Sequence, residues 1–203
     1  MILTLSVMLA LAIPVFAAET DAVADSSAVA AAGGDAKYAE VIDQRSQKIV
    51  QSLGLSDTNA AAMVHDIIMG QYRTLNGWHS TNDVKIKAAR RDPAALAGFH
   101  SSLKALHEQY LSSLARYLTP DQIEQVKDAM TYGKVPFTFK GYCVQYPNLS
   151  ETNRQEILRM LKDAREEAMD AGSAKDKTSV FQRYKGKINN YLSKQGISPD
   201  KKK

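Results

Sequence analysis

From Tyr38 onward, apolar residues recur at helical spacing, and the alternation that marks a strand is almost absent. The first run, Tyr38 to Leu53, stops at Gly54, a residue suited to the position after a helix. Leu55-Ser56-Asp57 then opens a long helix through Ala60, Val64, Ile67, Ile68 and Leu75, with an interruption expected at Asn76-Gly77 and a resumption towards Ala89. Asp92-Pro93 and Thr119-Pro120 each place a cap before an N1 proline, predicting helices to Leu118 and from Asp121 to about Tyr132. Ser150 caps Glu151 to Ala171, and a last helix runs from Ser173 or Asp176 to about Gln195. Between them lies Gly133 to Asn148, GKVPFTFKGYCVQYPN, where two glycines and two prolines act as breakers amid Phe137, Phe139, Tyr142 and Tyr146. The expected fold is all-α: a single helical bundle of about six helices with one long aromatic-rich loop, which forms either a packed plug or the wall of a cleft.

The apolar faces carry misplaced polar residues. In YKGKINNYL, Tyr184 to Leu192, Lys185 falls inside the stripe of Phe181, Tyr184, Ile188 and Leu192, with Asn189 at its edge. Lys127 lies on the shoulder of Ile123, Val126 and Met130, and Arg165 lies in the widened face of Ile157, Leu161 and Ala168. His100 and His107 share the face of Leu96, Leu103 and Leu114, while His79 follows Tyr72 if the helix survives Gly77. A buried cation needs a carboxylate, water or an anionic ligand. Two arrangements therefore stand side by side: a pocket in which Lys127, Arg165 and Lys185 meet an anion, or an ion network closed by Asp128, Glu166 and Asp170. Gly186, in mid-helix beside Asn189 and Asn190, marks a close approach by a neighbouring backbone or by a ligand.

Composition adds limits. Residues 1–17 have the apolar core and small-residue ending of a signal peptide, so the protein is expected to be exported, periplasmic or extracellular, with no stable membrane insertion after signal removal. Residues 18–35 are a flexible linker of small and polar residues, residues 36–198 the all-α domain, and residues 199–203 a basic tail. Net charge is +4, of which Lys201, Lys202 and Lys203 supply three; elsewhere cations alternate with acids, which disfavours nucleic acid. The single cysteine, Cys143, excludes an intrachain disulfide. No metal-binding motif, P-loop or dinucleotide fingerprint occurs, and neither metal nor cofactor is expected.

The phrases LTPDQ, KDAMTYG, PNLS, AREEAMDAGS and YKGKINNYL, in that order from Leu118 to Leu192, resemble the domain of unknown function 3826 family, with looser likeness upstream. Ala129, Thr178 and Lys187 depart from its usual phrases, Thr178 where histidine is common. The resemblance implies a secreted helical protein that binds sugar and accompanies polysaccharide breakdown, including that of pectin. With it, the expected binding residues are Lys127, Asp128, Tyr132, Tyr142, Arg165, Lys185, Asn189 and Asn190, cations holding uronate carboxylates and rings packing on sugar. The expected partner is thus an acidic oligosaccharide or polysaccharide fragment. One alternative is a polysaccharide lyase or hydrolase using the same pocket, with His107, His79 or Tyr132 moving the proton. Another is a periplasmic chaperone, since LTPDQ is similar to the LTxxQ proteins; that reading requires an exposed apolar concave face.

Overall fold

The computed structural model describes residues 34–200, so residues 1–17, expected to be a signal peptide, nearly all of the expected linker at 18–35 and the three terminal lysines lie outside the described residues. Within it the chain is all-helical: α1 (Gly34–Ser52), α2 (Thr58–Ala88), α3 (Pro93–Leu114), α4 (Pro120–Met130), α5 (Lys134–Gln145), α6 (Glu151–Met169) and α7 (Ala174–Lys194). The caps read from the sequence work as side-chain acceptors. Asp57, Asp92, Thr119, Ser150 and Ser173 each receive a backbone N–H of the first turn, and Thr119 forms a full capping box with Gln122.

Two expectations are corrected. The aromatic segment is not a loop but a helix, α5, entered through left-handed Tyr132 and Gly133, both at φ 60°. Pro136 falls in its first turn, where its missing N–H costs no helix bond, and Gly141 costs only about 1 kcal/mol relative to alanine. Nor does α2 break at Asn76-Gly77; it runs unbroken to Ala88, so His79 keeps its helical register with Tyr72.

The core falls into two clusters. One joins α5, α6 and α7 through Val135, Tyr142, Ile157, Leu161, Phe181 and Ile188. The other joins α1 to α4 through Ile49, Val64, Ile68, Tyr110, Leu114 and Val126, and takes Met169 from α6. Helices α4 and α6 therefore form the seam between them. Beyond Leu75 on α2 and before Tyr110 on α3 no residue is buried, so the far halves of these two helices project as a hairpin arm.

Candidate functional site

The inward cations separate into two places. At the seam, Arg165 on α6 is only 2% exposed and is enclosed by carboxylates: Nη1 donates to Asp128 at 2.7 Å, and Nη2 donates to Glu124 at 2.7 Å and to Glu166 at 3.1 Å. Lys127 adds bridges to Glu166 at 3.0 Å and Glu124 at 3.4 Å. On the other side of Glu166 stands His107 of α3, with Nε2 3.3 Å from that carboxylate and Nδ1 2.9 Å from Asp170. The carbonyl of Asp170 in turn meets Nε2 of His79 at 2.7 Å, and Nδ1 of His79 meets Asp83 at 2.8 Å. A Cβ on Gly172 would lie 2.7 Å from the His79 ring, so only glycine lets the α6–α7 turn sit against it. Arg165, Lys127, Asp128, His107 and His79 thus belong to one ion network that ties α2, α3 and α4 to α6.

This network fixes its charges, His107 protonated and Glu166 ionised. Hydrogen bonds to Asp170 and then Glu166 raise the His107 pKa to about 9 against the opposing effect of burial. Burial alone would raise Glu166, but bonds from His107 and Lys127 outweigh it and hold that carboxyl at about 2. The His107 contribution to stability is complete below its unfolded value of 6.5 and is lost as pH rises through 9. The Glu166 contribution is complete above 4.5 and is lost as pH falls through 2. We expect the thermal midpoint to fall between pH 7 and 10, with most of that fall absent from His107→Gln; an identical decline in the variant would remove His107 from the network.

A groove of about 380 Å³ opens beside Arg165, between α4, α5 and α6. Pro136, Phe139 and Leu158 make its apolar wall, while Asp121, Glu124 and Asp128 outnumber Lys162 and Arg165 on its polar side. A uronate entering here would meet three carboxylates, and both Nη groups of the guanidinium are already taken, with only the buried Nε left without a partner.

Lys185 lies elsewhere and pairs with none of these acids. Its backbone carbonyl, at 3.2 Å, and Asn189 Oδ1, at 2.9 Å, share the hydroxyl of Tyr142 from α5. The charge near it is Lys134, at the start of α5, whose pKa is lowered first by burial and then by Lys185. Among the described residues neither lysine forms an ion pair, and both are half-buried. Gly186 has no atom within 4 Å of a Cβ built on it, nor has Gly141, which precedes Tyr142. No neighbouring backbone explains Gly186; the surface beside Lys185 is open. Phe137, one turn from Lys134, is 79% exposed, while Tyr142 and Tyr146 are buried and stacked at 6.0 Å.

Of the remaining expected residues, Tyr132 is exposed at the strained α4–α5 junction and Asn190 is exposed on α7. His100 faces solvent instead of sharing the inward face of His107. Sequence reasoning missed Glu124, one turn before Asp128 on α4, and Lys134. It also missed Lys177, a buried lysine whose Nζ donates to the Met169 carbonyl at 3.2 Å and whose pKa burial lowers to about 8.

The chain matches, over residues 39–203, the family model described as "Protein of unknown function (DUF3826)", and it belongs to that family. No curated protein matches it.

Proposed function

We propose that this protein is an exported binding protein that holds an acidic, pectic-type oligosaccharide on the face between α5 and α7, in support of polysaccharide breakdown. One observation carries the reading: Lys134 and Lys185 are two half-buried like charges, neither with an ion-pair partner among the described residues, whereas Lys127 and Arg165 are already neutralised. Two ammonium groups so placed gain from an anion that bridges them, since each charge-assisted bond replaces a repulsion. The exposed Phe137 ring offers a flat apolar surface for a sugar ring, and Asn189 and Asn190 offer amides to hydroxyls. Gly141 and Gly186 keep the approach open.

The lyase or hydrolase reading gains less support, because both nitrogens of His107 and both of His79 already face oxygen acceptors within the network. The chaperone reading gains none: Met63 and Val84 on α2, Tyr132, and Phe137 and Val144 on α5 spread the exposed apolar side chains over separate elements. Export rests on residues 1–17.

Calorimetric titration against uronate oligomers and neutral oligomers of equal length tests the proposal, with absorbance of unsaturated products followed in parallel. Salt-sensitive binding of the uronate series without product is the expected result. Equal binding of the neutral series, or no binding, would remove the lysine pair from a ligand role.

A further inference from the structure

The α2–α3 arm has no core of its own, yet hydrogen bonds tie it down at its root. Trp78 Nε1 donates to Ser102 at 3.0 Å across the hairpin, and His79 and His107 converge on Asp170 from its two helices. From Asn76 to Ala88 the helix carries the tip about 20 Å outward at 1.5 Å per residue. The tip, VKIKAARRD, departs from the mixed-charge surface seen elsewhere. Lys85, Lys87, Arg90 and Arg91 are all exposed, and none forms an ion pair among the described residues. The two nearby acids are engaged elsewhere: Asp83 meets His79, and the Asp92 carboxylate accepts the N–H groups of Ala94 and Ala95 as the α3 cap. Val84 stands among these cations at 76% exposure.

We infer that the tip of this arm is a docking surface for an anionic lipid bilayer, with Lys85, Lys87, Arg90 and Arg91 at the headgroups and Val84 at the interface. Charge complementarity chooses an anionic partner. The shape chooses a bilayer over a small ligand, because the tip is convex and small-molecule sites are concave. Unpaired cations beside an exposed aliphatic side chain combine the two contributions that hold a peripheral segment on a membrane. Such contact is superficial, and no helix among the described residues is long and apolar enough to cross a membrane.

Sedimentation of the full chain with phosphatidylglycerol-containing vesicles, against pure phosphatidylcholine vesicles, tests the inference. Binding is expected to the anionic vesicles alone and to weaken as salt rises. Each tip cation changed to Gln should lower partitioning by roughly fivefold, and all four together by more than about a hundredfold. Changing Lys201, Lys202 and Lys203 to Gln, or Lys134 and Lys185 to Met, should leave that arm-dependent binding in place. Circular dichroism of the fourfold variant separates lost docking from lost fold. Vesicle binding untouched by the four tip changes but abolished with the terminal lysines would overturn the inference. So would binding of soluble polygalacturonate through the tip with none to vesicles.

Discussion

Arg165→Met is expected to lower the free energy of unfolding by about 3 kcal/mol, the low end of what breaking a buried ion pair costs. The guanidinium is 2% exposed and donates to Asp128, Glu124 and Glu166, so its loss leaves three carboxylates converging without their shared cation. Those carboxylates are each about a third exposed, which lets water return to them and keeps the cost from reaching the upper end. Asp128→Asn should cost less, since Arg165 keeps Glu124 and Glu166. Urea denaturation measures both through the midpoint at constant slope. Because the seam joins the two core clusters, Arg165→Met should also loosen their coupling, and probes in α2 and α7 should then give separate transitions. Full stability in Arg165→Met would mean that the apolar packing alone holds α4 on α6.

The helices and their caps were legible because period and capping are local properties, written within a few residues. Asp92-Pro93 and Thr119-Pro120 announce their helices directly, and the structure keeps both. The same local reading misjudged α5, where Pro136 and Gly141 count as breakers only if their position in the helix is ignored; Pro136 lies in the first turn. Gly77 was misjudged similarly, as one glycine in a helix of 31 residues is a small penalty. That Lys127, Arg165 and His107 face inward was also legible, although His100 faces solvent and buried Lys177 was missed. Their partners were not, since Arg165 meets Asp128 and Glu124 from 37 and 41 residues away. Helical period gave Lys185 the same inward status as Lys127 and Arg165, but not its neighbour on α5, because the segment holding Lys134 had no expected helix to lie on. One signal was available for the network: Glu124 and Asp128 share a face of α4 at the i, i+4 spacing, a carboxylate pair that needs a cation opposite.

Lys134→Met and Lys185→Met should each leave stability unchanged or raise it, and each should weaken an acidic oligosaccharide by about 1.5–3 kcal/mol, the cost of a charge-assisted hydrogen bond. The stability forecast follows from the repulsion between the two groups: the fold already disfavours the charged form of Lys134 through burial and through Lys185, so removing either charge relieves the other. Methionine keeps the apolar stem that packs along the helix, which confines the change to the ammonium. Together the two substitutions should bring uronate binding below detection, while Lys187→Met, whose ammonium lies over the Tyr184 ring at 4.1 Å, should leave it intact. The contrast with Arg165 is the discriminating measurement. At the seam, loss of a cation destabilises the fold and leaves specificity alone; between α5 and α7, it weakens binding and spares the fold. A Lys185→Met protein that unfolds in mild denaturant, or that binds uronate as the wild type does, would assign this lysine to packing and end its role as a ligand contact.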